Sequence, residues 1–285
     1  MTAINVFDTL RMTATDDGEI SLRCRFVPGY AAATVARSFG AAQPDAETQL
    51  GDLPAGPANL AYRAVELVRR TAGIDRGANV ELVKRIPAAS GLGGASSDAA
   101  AALVAADHVW QLGWSREKLS RLAAQLGSDV PFFLHAGLLG GGLAVCRGRG
   151  EIISPLSIAR RLHFVVVRPA GGLSTPDVFR RCTIPDQAAS AQPLCDSLQT
   201  DSIFEIGRQM HNRLTEPSRQ LSSEIDALTA KMAQAGAVSC QMSGSGSACF
   251  ALCKNAQHAG AVAAKLKNQR LGVTFTASTC GVHWN

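Results

Sequence analysis

The run Pro87–Trp110, PAASGLGGASSDAAAALVAADHVW, constrains the fold more than any other part of this 285-residue chain. It packs glycine, serine and alanine together and then becomes helical in pattern. Just before it, ANVELVKRI sets Val80, Leu82 and the stem of Lys84 on one side, the alternation of a strand that ends at Pro87. Strand, small-residue loop and helix in that order can gather unpaired backbone N–H groups around an anion. The competing use is a helix that packs closely against its neighbours. The anion reading draws on Gly91, Gly93 and Gly94, which place no Cβ between backbone and phosphate. Ser96 and Ser97 add hydroxyl donors, and the helix dipole adds about half an elementary positive charge at that end.

Two common phosphate loops fit badly. A Walker A loop ends in Gly-Lys-Ser/Thr, whereas Gly94 is followed by Ala95 and Ser96. The dinucleotide fingerprint matches only in part, as Gly91-x-Gly93-x-x-Ser96, and the segment after the helix reads as another helix instead of a strand.

The rest of the chain reads as α+β. INVFDTLRM and EISLRCRFV are strand-like pieces joined at Asp16-Asp17-Gly18, which suggests an antiparallel hairpin. Residues 38–57 are polar and rich in Gly and Pro, a loop. NLAYRAVELVRRTAG sets Leu60, Ala64, Leu67 and Val68 on one helical face, with Gly73 as C-cap. Ser115 caps a further helix that Gly127 ends. A fresh strand, HFVVVRP, follows Pro155 and divides the chain into lobes at 1–155 and 156–285. A loop with Pro185 and Pro193 leads to helices over 203–215 and 219–235, a strand into MSGSGSACFALC, a helix over 255–268 and a last strand, VTFTAS.

The 28 basic residues are scattered and the formal charge is +5, which disfavours nucleic acid and suits a small anionic partner. Eight cysteines include no Cys-x-x-Cys pair, so reduced structural thiols are expected, with no metal site. No apolar run approaches the roughly 20 residues that span a bilayer, and the cytoplasm is the default location.

The motifs resemble those of the GHMP kinases. The family's second motif stands here as Pro87-Ala-Ala-Ser-Gly-Leu-Gly-Gly-Ala-Ser-Ser-Asp-Ala99. The likeness continues in order through LGSDVPFFL, RGRGEIISPL, STPDVF at 174–179, HNRLTEP at 211–217 and MSGSGSACFAL at 242–252. It narrows to the branch that phosphorylates diphosphocytidyl-methylerythritol at its 2-hydroxyl.

The resemblance implies a two-lobe fold, with an N-lobe like ribosomal protein S5 and a ferredoxin-like C-lobe, acting on a small-molecule substrate as a monomer or homodimer. It implies ATP and Mg²⁺. Pro87, Ser90, Gly91, Leu92, Gly93, Gly94, Ala95, Ser96 and Ser97 would hold the triphosphate, and Asn59 with the Lys84 region would lie near the adenine. Asp129 matches the catalytic aspartate, which would accept the hydroxyl proton; apart from the resemblance it reads equally as a cap before Pro131. Thr175, Pro176 and Phe179 match the segment that packs on cytosine, and an aromatic face suits a pyrimidine. Ser243, Gly244 and Ser245, with Gly246, match the third motif, a glycine turn closing over the phosphate loop on the substrate side. Asn212 reads as structural.

The family's opening strand, with its lysine and asparagine, and its Tyr-His segment have no counterpart before MTAINVFDTL. This leaves two expectations: a natural protein that starts further upstream, or a degraded copy. Another GHMP kinase, acting on mevalonate, homoserine or a sugar, is the competing enzyme; STPDVF and LGSDVPFFL speak against it. A nucleotide-binding paralogue without kinase activity is the alternative from outside the enzymes.

Overall fold

The computed structural model describes residues 1–27, 50–139, 142–187, 189–200 and 202–280. The part of the expected polar loop at 38–49 lies outside them. The N-lobe carries a three-stranded sheet in which β3 (Gly77–Lys84) runs between β1 (Thr9–Thr15) and β2 (Ile20–Phe26). β1 pairs antiparallel to β3 and β2 parallel to it, so the two pieces expected to form a hairpin do not pair with each other. β3 buries Ala78, Val80 and Leu82 and leaves Asn79 and Glu81 exposed, so the sheet turns one face to the core, as the alternation in its neighbours also requires. The turn between β1 and β2 straddles the start of β3. A Cβ on Gly77 would lie 2.3 Å from both Asp17 Oδ1 and Thr15 Oγ1, so only glycine lets the third strand enter there.

Two helices, α1 (Leu60–Ala72) and α2 (Gly94–Val109), lie on the inner face of this sheet, and α3 (Arg116–Leu126) and α4 (Val130–Leu139) pack behind them into the same core. α1 buries Ala61, Ala64, Val65 and Val68 and ends at Gly73 in the left-handed conformation, φ 63°. The expected Leu60 and Leu67 are only partly buried. Alanines at 99, 100, 102 and 106 put α2 close against α1, so the small-residue helix does pack tightly as well as opening a loop. A short hairpin of β4 (Ala144–Arg147) and β5 (Ile152–Pro155) follows.

The C-lobe is built on an antiparallel sheet, order β7-β8-β6-β9, of β6 (His163–Arg168), β7 (Ser239–Met242), β8 (Cys249–Cys253) and β9 (Val273–Ser278). Successive residues of β6 serve two cores: Val165 and Val167 face one, Phe164 the other. That explains its uninterrupted apolar run. Five helices pack around the sheet or near its edges: α5 (Thr175–Arg180), α6 (Gln192–Leu198), α7 (Ile203–Gln209), α8 (Thr215–Leu221) and α9 (Glu224–Gln234), before α10 (Ala256–Asn268). The single helices expected over 203–215 and 219–235 are shorter: the first stops at Gln209, and the second is two helices broken at Ser222–Ser223. α6, expected as loop because of Pro193, is a helix that tolerates proline in its first turn.

Candidate active site

β3 delivers the chain to Pro87, and the loop through Gly93 delivers it to α2. Gly91 and Gly93 hold φ angles of 71° and 72°, which glycine adopts without steric cost. Their surroundings give a second reason for glycine. A Cβ on Gly91 would stand 2.1 Å from the Ser243 carbonyl oxygen, and one on Gly93 would stand 2.7 Å from the Phe133 ring. The expectation that these glycines clear room for a phosphate needs correcting: the space they leave is taken by the protein's own backbone and ring. What the loop leaves open is the helix end. Gly93 is the N-cap and provides no side-chain acceptor, so the first-turn amides at Gly94, Ala95 and Ser96 have no capping group. An uncapped start on a 16-residue helix is a fit for a triphosphate.

The glycine turn of the C-lobe is locked onto this loop. Ser243 Oγ donates to Gly91 O at 2.9 Å, and the Ala248 amide donates to Ser90 O at 3.1 Å. Asn212 holds the turn from below, its Nδ2 donating to Met242 O at 2.9 Å and Gly244 O at 2.8 Å while its Oδ1 accepts from Leu214 N. Thr175 Oγ1 and Ser245 Oγ share a hydrogen bond of 2.8 Å, which ties α5 to the same turn. Asn212 therefore serves the turn directly; its place in HNRLTEP was the available signal.

A cleft of about 440 Å³ opens where the two lobes meet. Gly91, Leu92 and Gly93 line it with Asp129 and Phe133 from one side, and Asn212, Ser243 and Gly244 from the other; Phe164 and Phe250 give it an apolar floor. Asp129 sits in the turn between α3 and α4, exposed at the cleft wall. The surrounding chain still excludes enough water to push its carboxyl above the ordinary aspartate value. A carboxylate with raised proton affinity, facing a helix start suited to phosphate, is equipped to take a proton from a hydroxyl.

Other expected residues lie elsewhere. Asn59 is the N-cap of α1: its Oδ1 accepts from Ala61 N and its Nδ2 donates to Pro54 O. Lys84 is 4% exposed and its ammonium is already paired with Asp8 and Asp98. Ser90 is 3% exposed and closes on Pro87 O. Ser97 Oγ donates to Gly94 O within its own helix. Pro176 stands in the first turn of α5, and Phe179 is 58% exposed, outside the residues that line the cleft. Among the described residues there is no cluster of three or more His, Cys, Asp or Glu side chains that could hold a metal, and no helix long and apolar enough to cross a membrane.

An anion-ready loop and a carboxylate in one cleft between an α+β N-lobe and a four-stranded C-lobe define a two-lobe small-molecule kinase, and the chain belongs to the GHMP kinase family. Residues 59–137 match the GHMP kinases N terminal domain, and residues 196–271 the GHMP kinases C terminal domain. Among its relatives is the 4-diphosphocytidyl-2-C-methyl-D-erythritol kinase of Rhodopirellula baltica, 38% identical over 288 residues, which cover 94% of this chain and 82% of the relative. The crystal structure of a 4-(cytidine 5'-diphospho)-2C-methyl-D-erythritol kinase superposes with a TM-score of 0.72 at 29% identity, covering 98% of this chain and 88% of that one. A homoserine kinase from Cytophaga hutchinsonii has the same TM-score at 20% identity, with 98% and 89% covered. That likeness speaks for the shared fold alone.

Proposed function

We propose that the protein transfers the γ-phosphoryl group of ATP to the 2-hydroxyl of 4-diphosphocytidyl-2-C-methyl-D-erythritol, a step of non-mevalonate isoprenoid synthesis. The observation that carries this reading is that Asp129 and the uncapped loop of α2 line one cleft. The amides of Gly94, Ala95 and Ser96 would hold the triphosphate, and Asp129 would orient the attacking hydroxyl and accept its proton. The segment Thr175–Phe179, tethered to the glycine turn through the Thr175–Ser245 hydrogen bond, would offer the exposed Phe179 ring to a cytosine reaching beyond the cleft lining. Mg²⁺ fits as a companion of the phosphates: Asp129 is the one carboxylate among the described cleft-lining residues, and this ion is commonly held by one or two carboxylates, water and phosphate oxygens. The reading places the reaction in the cytoplasm, with a monomer or homodimer as the working unit.

A second reading rests on one feature. The described residues that line the cleft include no Lys or Arg, and phosphoryl transfer depends on positive charge near the γ-phosphate. That favours a nucleotide-binding paralogue without turnover.

ATP consumption measured with diphosphocytidyl-methylerythritol, mevalonate and homoserine decides between them. Turnover with the cytidine substrate alone supports the proposal; ATP binding without turnover on any acceptor supports the paralogue. In the active protein, Asp129→Asn should lower turnover by about 10² to 10⁴-fold with nucleotide affinity little changed. An unaltered rate would remove Asp129 from the chemistry.

A further inference from the structure

Behind the phosphate loop lies a buried charge cluster that the proposed chemistry does not use. Lys84, at the end of β3, pairs with Asp98 in the first turns of α2 and with Asp8 just ahead of β1. The side chains are 5%, 6% and 4% exposed. Asp8 also accepts from the backbone amides of Arg85 and Ile86, the last residues before Pro87. The three side chains thus grip both ends of the loop, the strand that enters it and the helix that leaves it. A Cβ on Gly94 would come within 3.4 Å of Lys84 Nζ, which places the ammonium directly behind the helix start.

The cluster holds one cation and two carboxylates. Fully ionised, it carries a buried excess negative charge next to the place where a triphosphate would sit. Burial raises the cost of that charge, and a bound polyanion raises it further.

We propose that Lys84, Asp8 and Asp98 are positioning residues for the phosphate loop, that this buried cluster retains one proton, held by Asp98, and that triphosphate binding strengthens its retention. The inference rests on the reading of α2 as the triphosphate site. Burial, opposed by Lys84 and reinforced by Asp8, pushes the Asp98 carboxyl up to about 7, so the proton is exchangeable near neutrality. Burial alone would lower Lys84, but the two carboxylates more than offset it and hold the ammonium above its ordinary value. Of the other groups facing the cluster, Cys24 on β2 has its thiol raised chiefly by burial and stays neutral in this range. Asn59 on α1, beside Cys24, carries no charge. Arg85 turns its guanidinium away, to Phe7 O and Thr9 Oγ1.

The sign follows from linkage. A carboxyl whose pKa is higher in the folded state stabilises fully below the unfolded value, about 4, and that contribution is lost as pH rises through about 7. Thermal stability of the unliganded protein should therefore fall as pH rises from about 4 to about 7 and level off above it, whereas triphosphate affinity, set by a bound-state value above about 7, should fall between about pH 6 and about pH 8.5.

Calorimetric titration of the full chain with a nonhydrolysable ATP analogue and Mg²⁺, across that range and in buffers of differing ionisation enthalpy, tests the proposal. The affinity of the unsubstituted protein should drop by about tenfold relative to Asp98→Asn over the range, with proton uptake on binding that Asp98→Asn removes. Titration of the analogue's own phosphates is common to both proteins and cancels. Asp8→Asn removes the same excess charge and should flatten the slope likewise, which covers the case of one variant failing to fold. Equal slopes in all three proteins, or no proton uptake in the unsubstituted one, overturn the clamp. If the analogue binds at no pH while the melting temperature of the unsubstituted protein alone shows the slope, the cluster holds its proton, but both the triphosphate site and the binding linkage fall.

Discussion

The helices α1 and α2 start on the same side of the N-lobe and pack against each other, yet their N-termini are finished in opposite ways. At α1 the chain closes its own end, because Asn59 accepts the Ala61 amide and anchors itself to Pro54. At α2 the cap is Gly93, which has no side chain to offer, and the loop before it is held from outside by Ser243 and Ala248 of the other lobe. A side-chain cap satisfies the helix end locally and leaves little for a ligand. A glycine cap leaves the amides free, and the loop then needs support from elsewhere to keep its shape.

Three substitutions put this contrast at risk. The largest effect is expected from Gly91→Ala. The new Cβ meets the Ser243 carbonyl and must sit at a positive φ, which should cost about 2–3 kcal/mol of stability in denaturant melts. It should also weaken nucleotide binding; a protein that keeps both would show that the interlock is dispensable. Ala95→Asp comes next. A carboxylate in the first turn of α2 compensates the helix dipole, so stability should rise by about 0.3–1 kcal/mol. Triphosphate affinity should fall by about tenfold through like-charge repulsion, and unchanged affinity in a binding titration would place the phosphates elsewhere. Asn59→Ala is the smallest. Loss of the cap should cost about 1 kcal/mol and leave nucleotide affinity as it was, whereas a large loss of affinity would restore Asn59 to the site.

Much of the architecture was legible from local pattern. The strand ending near Pro87, the helix α1 with its Gly73 stop, the Ser115 cap and the apolar strand β6 follow from side-chain periodicity and from cap chemistry that acts within a few residues. Asn59 carried a local signal too, an Asn directly before an apolar-periodic run, although the family likeness pointed it at the nucleotide. The β1–β2 hairpin went wrong because strand pairing is settled between segments far apart in sequence, and only the crowding at Gly77 records that β3 passes between them. The helices after 203 were drawn too long because Ser222–Ser223 and the segment after Gln209 still look acceptable in a helical window.

The amino-acid sequence alone determined most of the element types, the glycine-serine loop at a helix start and the kinase family to which its ordered motifs belong, since these depend on residues near one another along the chain. Only the tertiary structure decided what each group is for. Gly91 meets Ser243 across 152 residues of sequence, Asp129 reaches the same cleft from a different turn, and Lys84 is drawn beneath the loop by two aspartates. The reason is physical: a glycine is required, a lysine is neutralised and a carboxyl is made basic by whatever lies against it in space, and burial and Coulomb interaction act through distance and exposure, not through position in the chain.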